Sequence, residues 1–406
     1  MRAVLRTRPG EVAVVERPIP EPGPGEALVH VRACGICGSD LARLRDPDEK
    51  WNHVILGHEC SGVVEAVGRG LAPRPSDSPS PQPSAARRRE RGLGGEVRVG
   101  QRVALLPLLP DFTCPYCQRG EFSLCDGYSF FGSRQDGGLA EYLVAPVGNF
   151  LPIPDEVDDE AAAMLEPLSV ATKGCLLAGL CLGPSPQGRG AGVGAGGVGL
   201  RGAGEVGKPV LIMGAGAIGL LAVQVALALG ASPVIACDVI PEKLLLADSL
   251  GAQTVLSITP SPVRERGQGV RLSDSVPEQV REMTGGRGVD VCLECSGHHA
   301  AFGPALESVA KGETLVLVGT GPGEVPVTGA QRELICRRML TLRGQWMSYG
   351  PTWPGDPWTL PLALLAQGRL DPVRLITHRF PRAQAAEAVH FLLMPGADYL
   401  KVMITM

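Results

Sequence analysis

The sequence predicts a β-rich domain followed by a parallel α/β domain. Short runs of β-forming residues, broken by Pro and Gly, fill about the first 150 residues. From about residue 168, short β-branched runs alternate with helical ones, which is typical of a doubly wound parallel sheet. A chain of 406 residues is long enough for two such domains, each with its own hydrophobic core.

The predicted elements follow one another along the chain. The first domain contains the β runs EALVHVRACG, SGVVEAVG, QRVALLPLL and AEYLVAP. The second contains the β runs KPVLIM, PVIACD, GVDVCLECSG and ETLVLVGTG, with helical segments between them. Two further helical segments, LPLALLAQGRL and AAEAVHFLL, precede a short last strand, KVMITM, which we expect to return to the first domain. The predicted boundaries are 1–167, 168–346 and 347–406.

Three stretches are predicted to be insertions. Residues 71–98 are rich in Ser, Pro and Arg, residues 183–205 are rich in Gly, and residues 259–275 are polar. Each stretch lacks the apolar residues whose burial offsets the entropy lost on ordering, so we expect loops or disorder there.

Composition excludes several classes of protein. Lys and Arg total 38 against 42 Asp and Glu, and no basic stripe is present, which argues against nucleic acid as a partner. The amino terminus has no apolar signal region, and the longest apolar stretch, LLAVQVALAL, is too short to span a bilayer. We therefore expect a soluble cytoplasmic protein without a membrane segment. In that compartment, twelve cysteines favour free thiols and metal ligands over disulfides.

The dinucleotide pattern G-x-G-x-x-G occurs twice. The first match, Gly194/Gly196/Gly199, lies in a glycine-saturated stretch without a preceding strand or a following helix, so chance explains it. The second match spans residues 214–219, follows the predicted strand KPVLIM and opens onto a helical run. The residues assigned to this site are the glycines of the pattern and the two residues between its last glycines: Gly214, Gly216, Ala217, Ile218 and Gly219. Such a turn brings a pyrophosphate close to a helix N-terminus, so the second match predicts a dinucleotide site.

An acidic residue completes this pattern. Asp238 ends the next β run, PVIACD, 19 residues past Gly219. A carboxylate there accepts hydrogen bonds from the ribose hydroxyls and repels a 2′-phosphate, so we expect NAD rather than NADP. Lys243, in the helical segment that follows, is assigned to the same site.

Two groups of residues are candidate metal ligands. The segment DFTCPYCQRGEFSLC offers three cysteines, Cys114, Cys117 and Cys125, where a thiolate zinc site wants four ligands. It is therefore a site one ligand short, a site completed by another residue, or no metal site. The segments CGICGSD, GHECSG and MLEPLSV offer a second group, a thiol, an imidazole and two carboxylates: Cys37, His58, Glu59 and Glu166. Such a mixed set suits a catalytic zinc with an open position, although a lone His in a β run can equally be a core residue.

The ligand segments, their order and the glycine fingerprint resemble the zinc-dependent medium-chain dehydrogenase/reductase family. The resemblance spans essentially the whole chain apart from the three insertions. It implies a GroES-like catalytic domain, completed by residues 347–406, and a Rossmann domain that binds NAD. It also implies a catalytic zinc ion bound by Cys37, His58 and Glu166, with Glu59 beside it. This zinc acts as a Lewis acid while hydride passes from the substrate carbon to the nicotinamide.

The resemblance assigns further roles around the catalytic zinc. Ser39 corresponds to the hydroxyl that contacts the substrate oxygen and takes its proton, and Asp40 to the carboxylate that orients the ligand histidine. The chain departs from some alcohol dehydrogenases at Ala42, where those enzymes have a His that passes the proton on, so the last part of the proton route stays open.

The resemblance also suggests the missing ligand of the cysteine group. The family's structural zinc lobe has four cysteines in the pattern C-x-x-C-x-x-C-x7-C. On this chain, its first position falls on Asp111 and the other three fall on the cysteines. Because zinc accepts a carboxylate oxygen, we expect a structural zinc bound by Asp111, Cys114, Cys117 and Cys125, and thus two zinc ions per chain.

Within the family, the segments FTCPYCQRGEFSLCDGYSFFGSRQDGGLAEY and RGQWMSYGPTWPGDPW are most similar to galactitol-1-phosphate 5-dehydrogenases. This similarity implies oxidation of a secondary alcohol of a polyol or polyol phosphate to the ketose. Sorbitol/L-iditol or threonine dehydrogenase activity is the alternative, although QWMSYG lacks the Arg that sorbitol dehydrogenases place there. Arg134 is a candidate for binding a substrate phosphate, or else an ordinary loop residue.

Other classes of protein stay open beside this interpretation. A zinc-free quinone reductase of the same superfamily would lack the ligand set around Cys37. A catalytically inactive zinc-binding structural or interaction protein would keep the ligands without turnover. For the enzyme, we expect a small-molecule substrate as partner and a homodimer or homotetramer as the assembly.

Overall fold

The computed structural model describes most of the chain, namely residues 1–48, 50, 53–68, 97–181, 207–252, 254–257, 275–321 and 324–405. Apart from residues 97, 98 and 275, the predicted insertions at 71–98, 183–205 and 259–275 lie outside the described residues. The first glycine match, at 194–199, lies outside them as well.

The described elements are numbered in chain order. The strands are β1 (Arg2–Arg8), β2 (Glu11–Glu16), β3 (Glu26–Ile36), β4 (Glu59–Val67), β5 (Arg102–Leu105), β6 (Leu108–Leu109), β7 (Ser129–Phe130), β8 (Tyr142–Pro146), β9 (Phe150–Pro152), β10 (Val210–Met213), β11 (Val234–Asp238), β12 (Thr254–Ser257), β13 (Val289–Glu294), β14 (Val309–Leu317), β15 (Thr341–Gly344), β16 (Ile376–Pro381) and β17 (Lys401–Thr405). The α-helices are α1 (Gly38–Arg45), α2 (Pro115–Gln118), α3 (Asp159–Ala163), α4 (Leu165–Leu177), α5 (Ala217–Ala228), α6 (Pro241–Ser249), α7 (Val276–Met283), α8 (His299–Ser308), α9 (Gly329–Arg338), α10 (Asp356–Ala366) and α11 (Ala385–Leu393).

These elements form two compact units. The first unit comprises Met1–Ser169 and Ser348–Met406, and the second comprises Val170–Met347. The second unit therefore interrupts the first in the sequence.

The first unit is built on an irregular, mainly antiparallel sheet. Its strand order is β16-β17-β3-β4-β5-β9, and β8 also pairs with β3. The last strand of the chain, β17, lies antiparallel to β3, so the tail shares a sheet with the amino-terminal residues. Every β run quoted above for the first domain contains a strand, whereas the hairpin of β1 and β2 was not predicted.

The second unit contains a parallel sheet. Its order is β12-β11-β10-β13-β14-β15, and each neighbouring pair is parallel. Every residue of β10 and β13 is buried, as expected for strands in a sheet covered on both faces. The order reverses between β10 and β13, the point at which sheets of this kind bind ligands beyond the carboxyl ends of their strands. The predicted fold class, a β-rich domain joined to a doubly wound parallel sheet, is confirmed.

Candidate active site

The first candidate ligand lies where a strand becomes a helix. β3 ends at Ile36, and Cys37 is the N-cap residue of α1. The backbone N–H of Cys37 donates to Asp40 Oδ2 at 3.1 Å, which closes a capping box at the helix N-terminus. The thiol of Cys37 is half-buried here, and Ser39, two residues further along, is exposed.

His58 and Glu59 join Cys37 from the neighbouring strand. They lie at the start of β4, and their side chains are buried. Gly57, just before them, has φ +91°, and a Cβ there would lie 2.7 Å from Cys34 Sγ, so only glycine fits this turn. One ligand atom from each of Cys37, His58 and Glu59 lies within 4.8 Å of the other two. We call these three residues the donor cluster.

Asp40 and Arg43 support the donor cluster from α1. Asp40 Oδ1 lies 3.4 Å from His58 Nδ1, which is an electrostatic contact rather than a well-aligned hydrogen bond. Arg43 Nη1 donates to Asp40 Oδ1 and to Ser39 Oγ, each at 3.2 Å. Burial raises the pKa of Asp40, but His58 and Arg43 outweigh it, so this pKa lies below its usual value. The carboxylate therefore stays ionised beside the imidazole, which is the arrangement that orients ligand histidines.

Lys401 pairs with Glu59 inside the protein. Its Nζ donates to both carboxylate oxygens of Glu59, at 2.7 and 2.8 Å, and the exposed fractions of the two side chains are 6% and 1%. Burial lowers the pKa of Lys401, but the Glu59 carboxylate outweighs it and leaves the pKa above its usual value. Sequence reasoning missed Lys401. The available signal was a lysine opening an otherwise apolar strand, since buried lysines need a partner.

Glu166 lies close to the donor cluster without belonging to it. It is half-buried in the first turn of α4, and among the described residues the close group contains only the other three side chains. Burial raises the pKa of Glu166 to about 7, against the opposing influence of His58 and with a further increase from Glu59. The charges of the donor cluster therefore act on the Glu166 carboxyl group, although this group is not one of the three close ligand atoms. Glu166 is the candidate for a fourth ligand.

The second predicted ligand group is also assembled. One ligand atom from each of Asp111, Cys114, Cys117 and Cys125 lies within 4.8 Å of the others. Cys114 caps the short helix α2 and accepts the backbone N–H of Cys117 at 3.5 Å. The backbone N–H of Asp111 donates to Cys125 Sγ at 3.2 Å. We call the segment 111–125 the cysteine lobe, and its donor set suits zinc.

Asp111 also stabilises the turn that it begins. Its Oδ1 accepts the backbone N–H groups of Cys114 at 2.9 Å and Thr113 at 2.7 Å. These two hydrogen bonds hold the pKa of Asp111 well below its usual range. Its other oxygen lies 2.9 Å from the place where a Cβ of Gly127 would be. Asp111 thus accepts the backbone N–H groups of the turn and also belongs to the ligand group of the lobe.

The glycine fingerprint begins directly after β10. Gly214 has φ +95° and lies against Ser296, where a Cβ would come within 2.8 Å of backbone nitrogen. A Cβ on Gly219 would lie 1.8 Å from Gly214 O, so this glycine lets α5 approach the turn. Gly216, the N-cap of α5, has open space around it and no side-chain cap. The N-terminal amides of α5, from Ala217 onward, thus have no side-chain cap, and helix ends of this kind favour anions.

Asp238, at the end of β11, is tied to this turn. Its Oδ2 accepts the backbone N–H of Ala215 at 2.7 Å, and its Oδ1 accepts that of Ile240 at 2.9 Å. The side chain is half-buried, and Lys243 is half-buried in the first turn of α6. Sequence reasoning did not foresee the bond to Ala215, which fixes the carboxylate beside the fingerprint.

Arg134, the candidate for binding a phosphate, interacts with its own loop. Its guanidinium lies 3.9 Å from the centre of the Tyr128 ring and donates to the Tyr128 carbonyl. The side chain is exposed. These contacts favour the interpretation of Arg134 as an ordinary loop residue.

Comparison with known proteins supports a single family. A zinc-binding dehydrogenase model matches residues 217–358, and an alcohol dehydrogenase GroES-like domain model matches residues 23–155. Galactitol 1-phosphate 5-dehydrogenase of Escherichia coli (strain K12) is 33% identical over 98% of this chain and 98% of its own length. The chain belongs to the zinc-binding dehydrogenase family. Sorbitol dehydrogenase of Gallus gallus is 31% identical over 99% of this chain and 95% of its own. The crystal structure of galactitol-1-phosphate dehydrogenase from Escherichia coli has a TM-score of 0.80, 33% identity and full coverage of both chains.

Membership of the zinc-binding dehydrogenases makes the chain an oxidoreductase of the alcohol and polyol dehydrogenase type, as predicted. The predicted cofactors are confirmed at the level of the family as zinc and NAD(P). Which residues bind them stays a prediction. Among the described helices, none combines the length and apolar character needed to cross a membrane.

The ion pair between Glu59 and Lys401 yields a stability prediction. Lys401→Met leaves the Glu59 carboxylate buried without its cation, so we expect the free energy of unfolding to fall by about 3–5 kcal/mol. Denaturant unfolding followed by circular dichroism measures it. Lys401→Arg, which retains the charge, is the control, and equal stability of the two variants would contradict the assignment.

The double role of Asp111 yields a second prediction. Asp111→Asn retains the acceptor for the turn but lacks the anionic ligand, so the lobe should lose its zinc while the fold persists. Asp111→Cys, which supplies a fourth thiolate, should retain the zinc. Elemental analysis after dialysis against a mild chelator measures zinc per chain. Identical zinc content in Asp111→Asn and the wild type would refute the assignment of Asp111 as a ligand.

Proposed function

We propose that this chain catalyses the zinc-dependent, NAD-linked and reversible oxidation of a secondary alcohol of a polyol or polyol phosphate to the ketose. The observation that supports this most strongly is the donor cluster, together with the exposed hydroxyl of Ser39, two residues after Cys37. A thiol, an imidazole and carboxylates form a donor set typical of catalytic zinc rather than of structural zinc.

Cys37, His58 and Glu166 are the proposed ligands of the catalytic zinc, with Glu59 beside them. When bound, zinc supplies Lewis-acid polarisation of the substrate oxygen. Lys401 neutralises Glu59, which favours Glu166 as the third ligand, because a carboxylate that already accepts two hydrogen bonds from an ammonium group is a weaker donor. Asp40 orients the His58 ring through its contact with Nδ1, which leaves Nε2 to bind the metal.

Ser39 is the proposed acceptor of the substrate's proton. Arg43 donates to one lone pair of Ser39 Oγ, which leaves the other lone pair to accept the substrate's proton while the hydroxyl releases its own proton to solvent. Arg43 cannot accept a proton, because a guanidinium stays charged at any physiological pH. Since Ser39 is exposed and Ala42 carries no titratable group, the proton passes from Ser39 to water.

The fingerprint glycines and Asp238 are proposed to hold NAD. The open space at Gly216 and the uncapped N-terminus of α5 suit the pyrophosphate, and Asp238 suits the adenosine ribose. Lys243 is proposed to belong to the same site. The cysteine lobe is proposed to hold a second, structural zinc.

Galactitol 1-phosphate is the proposed substrate, and sorbitol/L-iditol and threonine are the alternatives. The support is the 33% identity over 98% of the chain to a relative named for this substrate. A cytoplasmic homodimer or homotetramer is the proposed form of the enzyme. A panel of polyols, sugar phosphates, threonine and simple alcohols, assayed by NADH formation, tests the substrate. The highest kcat/KM with an unphosphorylated polyol would overturn galactitol 1-phosphate as the substrate and leave the polyol class standing, whereas the highest value with threonine or a simple alcohol would overturn that class.

The catalytic ligands yield a prediction on activity. Cys37→Ser and Glu166→Ala should each reduce NAD-dependent polyol oxidation to background, because either change removes a ligand of the proposed metal, while the melting temperature stays close to that of the wild type. Cys336→Ser, which removes an exposed thiol in the second unit, should leave turnover unchanged. Retained turnover in Cys37→Ser would rule out catalysis by this metal, and absence of turnover in the wild type would favour the inactive zinc-binding protein.

Cofactor choice yields a further prediction. Asp238→Asn retains an acceptor for the backbone but removes the charge that repels a 2′-phosphate. We expect the ratio of kcat/KM for NADP to that for NAD to rise by roughly ten- to a hundred-fold, since hydrogen bonds to charged groups contribute about 1.5–3 kcal/mol. Steady-state kinetics with both cofactors measures the ratio. An unchanged ratio would exclude Asp238 from ribose recognition.

A further inference from the structure

A buried serine joins the cysteine lobe to the carboxy-terminal part of the first unit. Ser123 lies between the last two lobe cysteines and is 6% exposed. Its Oγ donates to Tyr349 O at 3.1 Å and accepts the backbone N–H of Tyr349 at 3.1 Å. One hydroxyl group thus satisfies both backbone groups of a residue 226 positions away.

Aromatic contacts fix the same segment to the lobe. The Tyr349 hydroxyl accepts the backbone N–H of Leu108 at 3.0 Å, and its ring stacks on Trp353 with centroids 4.7 Å apart. Trp353 in turn meets Phe112 and Phe122 of the lobe edge to face, at 5.7 and 5.5 Å. The lobe therefore holds Tyr349 through two sets of contacts, the hydrogen bonds of Ser123 and the aromatic contacts of Trp353.

The residue before Tyr349 reaches the helix that carries Glu166. Ser348 Oγ lies 2.7 Å from Ser169 Oγ, and Ser169 Oγ donates to the carbonyl of Glu166 at 2.6 Å. Ser169 and Ser348 are 0% and 1% exposed, so water cannot replace these contacts. The first turn of α4 is thereby held by the Ser348–Tyr349 segment, which the lobe holds in turn.

We propose that Ser123 and Ser348 are positioning residues that make the fixation of Glu166 depend on the cysteine lobe. This inference rests on the proposed function, in which Glu166 is a ligand of the catalytic zinc. A metal ligand that is held less firmly releases its metal faster, and loss of a supporting hydrogen bond typically weakens metal affinity by about 10–100-fold. Removal of the hydrogen bonds of Ser123 or Ser348, or of zinc from the cysteine lobe, should therefore weaken zinc binding at the catalytic site even though its ligands are all present.

Zinc release tests the proposal without an activity measurement. The zinc-loaded protein is mixed with excess chromophoric chelator, and the absorbance of the zinc–chelator complex is followed over time. The kinetic phase of zinc release that is missing in Cys37→Ser is assigned to the catalytic site. Ser123→Ala removes both bonds to Tyr349 and no candidate ligand, and we expect it to accelerate that phase about tenfold or more. Ser348→Ala removes the contact with Ser169 and should also accelerate zinc release, so the test does not depend on a single variant. Asp111→Asn should accelerate it as well.

Matched variants separate positioning from general loss of structure. Ser308 is a fully buried serine of the second unit whose Oγ donates to Pro304 O at 2.7 Å. Ser308→Ala should leave the release phases of the wild type unchanged, and Ser123→Thr, which keeps the hydroxyl, should restore slow release. Unchanged release from both Ser123→Ala and Ser348→Ala overturns this inference alone. Absence of any Cys37-dependent phase in the wild type overturns the proposed function, and this inference with it.

Discussion

Charge balance inside the first unit is the constraint on which the rest of the structure depends. Asp40 and Glu59 are buried and Glu166 is half-buried, close to the thiol and imidazole of the donor cluster. Buried anions are stable only when cations or hydrogen-bond donors accompany them. Lys401 accompanies Glu59, and Arg43 accompanies Asp40.

Two of the groups proposed to bind zinc stand outside these ion pairs. No lysine or arginine forms a described ion pair with the thiol of Cys37 or the carboxyl of Glu166, and burial raises the pKa of Glu166 to about 7 despite the opposing charges of His58 and Lys401. A divalent cation bound by these two groups would complete the balance. The strand order of the sheet contributes to this charge balance, because pairing of β17 with β3 brings Lys401 within reach of Glu59 on β4. The carboxy-terminal strand thus completes the proposed active site.

Local patterns in the sequence predicted most of the fold. The apolar runs around Leu28 and Ile212 are strands, and the fingerprint glycines lie between a strand and a helix, because these patterns depend on neighbours in the sequence. The ligand segments were recognisable for the same reason. Lys401 was not predicted to pair with Glu59, since 342 positions separate the two residues and only the paired strands bring them together.

The other omissions have similar physical reasons. Arg43 was detectable in principle: Cys37 and Asp40 form a capping box, and the resulting helix places Arg43 four residues after Ser39. The bonds of Ser123 to Tyr349 were not, because a serine hydroxyl gives no indication of its distant partner. Asp111 was selected as a ligand by its place in a cysteine pattern, and the structure adds the turn that its carboxylate caps.

The central claim is that the donor cluster, and not only the cysteine lobe, binds a metal ion. Crystals of the zinc-loaded protein, measured at wavelengths on both sides of the zinc absorption edge, test it directly. We expect two anomalous peaks per chain, one enclosed by the cysteine lobe and one at zinc–ligand distances, about 2.3 Å for sulfur and about 2.0–2.1 Å for nitrogen, from Cys37 and His58. A zinc-replete crystal with no peak beside Cys37 and His58 would contradict the account.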